Sequence, residues 1–267
     1  MIRSITSRDN SLLRLARAVR DGKDTEYIFV EGLRLGEEAL RSTLKIEAVI
    51  VSEELLRKER AAEAIAELSH ASQRSASVSE KLLESISYTK TPQGIVVLAE
   101  RPESSEERLS ASLPDNALLV VLHQINNPVN VGAILRTTEA AGAGGVITTR
   151  NTSDPFSPKS LRGAMGSAFR LPIWVGPDYE EMIAWCRKHN LETVCADAEA
   201  TLAHTEIDWT RPTALVMGPE STGFTAGEME SATQIVKIPM HGAVESLNVS
   251  VAAGILLFEA ARQRSVV

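Results

Sequence analysis

The sequence predicts an α/β protein built as two domains in series. Three observations predict it. Short apolar runs alternate with amphipathic stretches through the first hundred residues. A polar stretch with proline near both ends, RPESSEERLSASLPD at 101–115, then interrupts the pattern. The alternation restarts at ALLVVL, 117–122, and ends in a long apolar segment at 246–262. Strands separated by helices imply mostly parallel sheets. The expected division is a domain over 1–100, a linker over 101–115 and a domain over 116–267.

The elements follow in order. Residues 10–22 place Leu12, Leu13, Leu15, Ala16 and Val19 at helical spacing. YIFVEG at 27–32 reads as a short buried strand closed by glycine, and Leu33 to Leu40 as a helix. IEAVIV at 46–51 is a second strand, 53–68 a helix rich in Glu, Arg and Ala, and 75–78 a short strand before a helix near 80–86. GIVVLA at 94–99 closes the first half. In the second half a helix fits 129–141, a strand 145–149, a helix 179–189 and a strand 191–196. ALVMG at 214–218 and IVKIP at 235–239 are strands, and 246–262 is the closing helix.

Composition narrows the function. The chain has 267 residues, 43% of them hydrophobic, and a net charge of −7 that argues against indiscriminate nucleic-acid binding. Charge is uneven, however: Arg3, Arg8, Arg14, Arg17, Arg20 and Lys23 face only Asp9 and Asp21 at the start. No apolar run is long enough to span a bilayer, and MIRSITSRDN lacks a signal-peptide core. The two cysteines, Cys186 and Cys195, have neither metal spacing nor a disulfide framework around them. A reduced cytoplasmic chain with no membrane partner and no metal is expected.

Three segments carry chemistry. The first, NPVNVGAILRTTEAAG at 127–142, directly follows a buried strand, so it lies at the strand end where open parallel sheets place ligands. Asn130 and Arg136 stand out on its apolar helix, Arg136 being a fork of donors suited to phosphate. The bland reading is a helix cap and a solvated charge. The second, LVMGPESTG at 215–223, ends a strand on Gly and Pro, exposing backbone groups and the Glu220 carboxylate; it is equally a simple turn. The third, IPMHGAVESLNVSVA at 238–252, runs from a strand into a long helix, with Ser246 and Asn248 where capping residues belong. A doubly wound sheet gathers such strand ends at one edge.

The order N-P-x-N-x-G-x-x-x-R-T, then L-V-x-G-x-E-x-x-G, then I-P-M-x-G-x-x-E-S-L-N-V-S-V-A-A resembles the three motifs of the SpoU (TrmH-like) branch of the SPOUT methyltransferases. SPKSLRGAMGSAFRLPI at 157–173 is also similar to that family. The first half, through IFVEG and its layout, resembles the L30e-like substrate-binding domain that precedes the catalytic domain in many members. The loop HQINNP departs from the pattern, since acidic residues often stand there in relatives.

The resemblance implies a SPOUT domain with a deep trefoil knot, S-adenosyl-L-methionine as co-substrate without a metal, and ribose 2′-O-methylation of RNA. It places the cofactor on Met217, Gly218, Glu220, Ile238, Met240, Ser246, Leu247 and Asn248. It gives catalytic roles to Asn130, Arg136, Glu220, Ser246 and Asn248. It also implies a homodimer whose site borrows groups from the second subunit. RNA contacts are expected from Arg3, Arg8 and Arg14, with Lys159 and Arg162 as further candidates. The expected target is 23S ribosomal RNA; transfer RNA and a non-catalytic RNA-binding module are the alternatives. A dinucleotide-dependent oxidoreductase is the rival from another class, suggested by Gly142, Gly144 and Gly145. Those glycines follow a helix and precede a strand, the reverse of a dinucleotide fingerprint. No G-x-S-x-G elbow and no metal-spaced histidine pair is present.

Overall fold

The computed structural model describes residues 2–220 and 222–265. Ser221 of the second motif lies outside them, as do positions 1, 266 and 267. The strands are β1 (Arg3–Ile5), β2 (Tyr27–Glu31), β3 (Ile46–Ser52), β4 (Ser72–Val78), β5 (Ile95–Glu100), β6 (Leu118–Leu122), β7 (Gly145–Thr148), β8 (Ile173–Val175), β9 (Glu192–Ala196), β10 (Leu202–Ala203), β11 (Thr213–Met217) and β12 (Gln234–Lys237). The helices are α1 (Ser11–Arg20), α2 (Leu33–Arg41), α3 (Glu53–Leu56), α4 (Glu59–Ala71), α5 (Glu80–Ile86), α6 (Glu106–Ala111), α7 (Pro128–Ala140), α8 (Pro158–Ala164), α9 (Ser167–Arg170), α10 (Tyr179–Lys188), α11 (Ala226–Ser231) and α12 (Val249–Arg264). The chain divides into two compact units. One runs to Pro102 and includes Phe156–Arg170; the other comprises Glu103–Pro155 and everything from Leu171.

The first unit is a five-stranded sheet ordered β1-β4-β3-β5-β2. β1, β4 and β3 are parallel, whereas β5 runs antiparallel to both β3 and β2. Its central strands are buried on both faces, which is why IEAVIV and IVVLA read as continuous apolar runs rather than alternating ones. Leu12, Leu13, Ala16 and Val19 of α1 pack with Leu83 and Ile86 of α5 against Phe29, Ile50, Val96 and Leu98. Asn10 caps α1, its side chain accepting from the Leu12 N–H at 2.9 Å. Glu31, buried at the end of β2, accepts from the N–H groups of Tyr88 and Thr89 at 3.0 and 3.1 Å and from the Thr89 hydroxyl at 2.7 Å. The acidic residue of IFVEG thus ties a loop.

The second unit is a seven-stranded sheet ordered β10-β12-β9-β11-β6-β7-β8, parallel at every pairing. One face packs α6 and α10 through Leu109, Met182, Ile183 and Trp185. Helices α7 and α12 pack on each other. With every strand parallel, the carboxyl ends of β6, β9, β11 and β12 share one edge, the place where such sheets bind ligands.

Several elements differ from the sequence expectation. The stretch 101–115 is more than a linker: Ser105 caps α6, and Leu109 is fully buried in the core of the second unit. The segment 156–170, expected within the catalytic domain, packs with the first unit. There α8 contacts β2, and the Arg170 guanidinium meets the Glu38 carboxylate at 2.7 Å. The helix expected over 53–68 is two helices, because Lys58 is extended and starts α4 afresh. The short elements β1, β8, β10, α8, α9 and α11 have no counterpart in the expected pattern. Gly142, at φ 76°, ends α7, as the helix-termination reading requires. Gly145 lies so close to the Leu109 side chain and the Pro172 carbonyl that a Cβ would not fit.

Candidate functional site

Helix α7 begins where β6 ends. Asn127 caps it, its side chain accepting from the Val129 N–H at 3.0 Å, and Pro128 occupies the first turn, where a missing N–H costs nothing. Because Asn127 does the capping, the amide of Asn130 is available for other work. Asn130 is buried, and its Nδ2 donates to Oε1 of Glu220 in the second motif. Its Oδ1 accepts from Nδ2 of Asn248 in the third motif at 3.3 Å. One buried amide therefore joins the three motifs, using donor and acceptor together. Asn248 is also the cap of α12, accepting from the Ser250 N–H at 2.9 Å, so the capping role expected of it is real and serves the network as well. Ser246 does not cap; it lies exposed in the preceding loop.

Beside this network lies a cleft of about 450 Å³. Its lining includes Met217, Gly218, Glu220, Ile238, Met240, Ser246, Leu247 and Asn248, all eight residues expected around the cofactor. It also includes Asp197 and its neighbours Ala196 and Ala198 at the end of β9, together with Phe224 and Ala252, which the sequence pattern did not single out. A signal for Asp197 was present: the strand over 191–196 was legible, and its carboxyl end is a ligand position by the same rule that singled out the first motif. Gly218 has no room for a side chain because the ring of Phe224 crosses it.

Arg136 is placed apart from this cleft. It is exposed, six residues beyond Asn130 on α7, or about 9 Å along the helix axis. It makes no hydrogen bond or ion pair among the described residues. It shares a helix face with Val129, seven residues earlier and 44% exposed. The neighbouring helix α12 is apolar all round from Val251 to Phe258, yet Val251, Ile255 and Phe258 are 51%, 36% and 55% exposed at successive turns. A helix of that composition is normally covered on every side.

Behind the cleft, His123 at the end of β6 is buried between two partners. Its Nδ1 lies 2.9 Å from the Thr149 hydroxyl and its Nε2 3.0 Å from Glu228 Oε1. Burial pushes the imidazole below its ordinary value against the pull of Glu228, so the ring is neutral at pH 7. Its Nε2–H then donates to Glu228, and Nδ1 accepts from Thr149. Burial works to raise the Glu228 carboxyl, but the Thr225 N–H and hydroxyl, with His123, hold it below its usual range. The ring stacks 6.1 Å from that of Phe224, so His123 braces the cleft wall and the α11 segment after the second motif. Both thiols are buried, which raises Cys186 to about 12 and Cys195 to about 11; neither is poised as a nucleophile.

The RNA-contact candidates all fall in the first unit. Arg3, Arg8, Arg14, Lys159 and Arg162 are exposed. Arg17 and Arg20 are occupied with backbone instead: Arg17 donates to the Arg8 carbonyl at 2.9 Å, and Arg20 reaches the carbonyls of Ser85 and Ser87. Among the described residues, no three His, Cys, Asp or Glu side chains are grouped to hold a metal ion, and no helix is long and apolar enough to cross a membrane.

A seven-stranded parallel sheet with a cleft at its carboxyl edge, preceded by a smaller mixed-sheet unit, is the α/β architecture this chain shares with solved SpoU methyltransferases. The particular family follows from comparison with known proteins: residues 117–258 match the SpoU rRNA Methylase family and residues 12–97 the MRM3-like substrate binding domain, so the chain belongs to the SpoU rRNA methylase family. It is 36% identical over 65% of its length to a 23S rRNA (guanosine-2′-O-)-methyltransferase of Pseudomonas syringae, covering 71% of that protein. It is 31% identical to a 23S rRNA uridine 2′-O-methyltransferase of Streptomyces viridochromogenes, over 68% of this chain and 65% of that one. An AdoMet-bound rRNA methyltransferase from Sinorhizobium meliloti superposes with a TM-score of 0.85 at 30% identity, covering 98% of both chains.

Proposed function

We propose that this chain is an S-adenosylmethionine-dependent RNA ribose 2′-O-methyltransferase acting on 23S ribosomal RNA in the cytoplasm. The observation that carries the proposal is the Asn130 amide, which ties the first motif to Glu220 and Asn248 of the two motifs that line one cleft at the carboxyl edge of the sheet. The cleft suits the cofactor by charge. Among the described residues it is lined by two carboxylates, Asp197 and Glu220, by no lysine or arginine, and otherwise by neutral groups. The cofactor carries a sulfonium and an ammonium against one carboxylate, so a net positive ligand meets an acidic, mostly apolar site. In this reading the stretch from β11 through α12 forms the trefoil knot that the resemblance implies.

When bound, the cofactor supplies a methyl group on a positively charged sulfur. The remaining work falls to the chain. A ribose hydroxyl is a poor nucleophile that must be positioned and must lose its proton. Arg136 cannot take that proton, because its guanidinium stays protonated. Its role is to grip the phosphate beside the target ribose, and the hydroxyl proton passes to that phosphate or to a neighbouring acceptor. Asn130 holds Glu220 and Asn248 in register at the cleft. Arg136 does not line the cleft of its own chain and stands on the face that carries the exposed apolar residues of α7 and α12. We therefore assign the protein as a homodimer through Val129, Val251, Ile255 and Phe258, with Arg136 serving the partner's cleft. The first unit holds RNA through Arg3, Arg8 and Arg14, with Lys159 and Arg162 in the same unit.

The test is transfer of labelled methyl to protein-free 23S rRNA and to bulk tRNA, followed by nucleoside mass spectrometry. A ribose-methylated nucleoside mapping to one 23S position is expected. Label confined to tRNA would move the target, and absence of ribose methylation in either RNA would overturn the reading.

A further inference from the structure

Asp197 is a carboxylate that no motif accounts for. It follows β9 directly, and β9 lies between β12 and β11, whose ends carry the third and second motifs. Its backbone N–H donates to the Val236 carbonyl at 2.9 Å, fixing the chain against β12 where the cleft opens. Its Oδ1 accepts from the Glu199 N–H at 2.8 Å in an Asx turn, which sets the plane of the carboxylate. Its second oxygen has no hydrogen-bond or ion-pair partner among the described residues. The flanking Ala196 and Ala198 are small enough to let a ligand approach.

The other carboxylate of the cleft, Glu220, is engaged by Asn130 of the first motif. Asp197 comes from a different strand end. An ionised carboxylate is an acceptor only, with two oxygens able to receive hydrogen bonds. The ligand group that offers two adjacent donors without charge is a vicinal diol. An acidic residue facing ribose hydroxyls is also the solution that other α/β nucleotide sites reach at a strand end. We propose that Asp197 binds the ribose diol of the cofactor through its free oxygen, and so selects adenosine-type ligands with intact ribose. This rests on the cofactor assignment above.

Calorimetry separates the two. The ligands are S-adenosylhomocysteine, 5′-methylthioadenosine, which lacks the amino-acid chain, and the 2′-deoxy form of the latter. Asp197→Asn keeps an oxygen for the Glu199 N–H and turns an amide donor toward the diol. We expect it to weaken S-adenosylhomocysteine and 5′-methylthioadenosine by a similar factor, about ten- to a hundredfold, as for the loss of hydrogen bonds to a charged group. The 2′-deoxy ligand should distinguish the two proteins much less. Loss confined to S-adenosylhomocysteine would assign Asp197 to the ammonium and overturn the proposal, as would unchanged affinity for all three ligands. Failure of the native protein to bind S-adenosylhomocysteine would overturn the cofactor assignment and the proposal together, whereas an unaffected Asp197→Asn leaves the assignment standing.

Discussion

Both units contain parallel strands, but they use the carboxyl ends of those strands differently. In the first unit the ends of β2 and β3 are spent on structure: Glu31 ties a loop, and Ser52 caps α3 by accepting from the Leu55 N–H at 3.2 Å. In the second unit the ends of β6, β9, β11 and β12 leave polar groups around a cleft, and the Asn130 amide binds those of the three motifs together. The difference follows from topology. Reversed β5, set between β3 and β2, interrupts the first sheet, while the second is parallel throughout. A parallel sheet that sends its strand ends to one edge concentrates polar groups there.

The sharpest way to break this comparison is Arg136→Ala. It should lower single-turnover methyl transfer about a hundredfold or more, the scale of removing one charge-stabilising donor from a site, while calorimetry shows unchanged cofactor affinity. Arg136→Lys should fail in large part too, since a point charge does not reproduce the two-pronged grip. Near-native rates in either variant would place the centre elsewhere. Asn130→Ala comes next. It frees Glu220 and Asn248 at once, and cofactor affinity should fall roughly tenfold, the scale of losing two hydrogen bonds that hold the cleft in register. If affinity holds, the amide is only a packing residue.

The first unit is tested by replacing Arg3, Arg8 and Arg14 with glutamine. RNA affinity should drop modestly, and the slope of log affinity against log salt should fall by about one for each phosphate no longer neutralised. Cofactor binding should not change. An unaltered slope would shift the RNA surface to Lys159 and Arg162.

The smallest expected effect concerns His123. Its folded pKa lies below the ordinary value of 6.5, so the unfolded chain takes up the proton first as pH falls. The neutral ring contributes stability above that value and loses it on acidification through the folded pKa. Denaturant melts at several pH values should show stability declining below about pH 6.5, and His123→Gln should flatten that decline. The reverse slope would mean that the Glu228 pair dominates over burial.

Much of this architecture was legible in the sequence because period and composition carry it. Central strands read as continuous apolar runs, and the three motifs stand directly after strands. What was hidden depended on distant partners. Nothing in NPVNVG says that Asn127 rather than Asn130 will cap the helix, and that choice leaves the Asn130 amide free to bridge. Leu109 sits in a polar, proline-bounded stretch, and only a core waiting elsewhere makes it structural. The segment 156–170 follows the first unit because Arg170 finds Glu38 and α8 finds β2, contacts between residues far apart in sequence. Asp197 was within reach of the strand-end rule, but no motif surrounds it. The separation of Arg136 from the cleft was invisible, since helix phase alone does not say which face a neighbouring helix will cover.

In the proposed dimer, cleft and guanidinium stand on different faces of one chain and meet only across the interface. Mixing Arg136→Ala subunits with Glu220→Ala subunits tests this directly. Each variant alone should be close to inactive. After dissociation and random reassociation, half of the dimers pair one chain of each kind, and one site in each of those combines an intact cleft with an intact Arg136. About a quarter of native methyl-transfer activity should return. No recovery, with mixed dimers verified by mass, would show that Arg136 serves its own chain's cleft and would contradict the account.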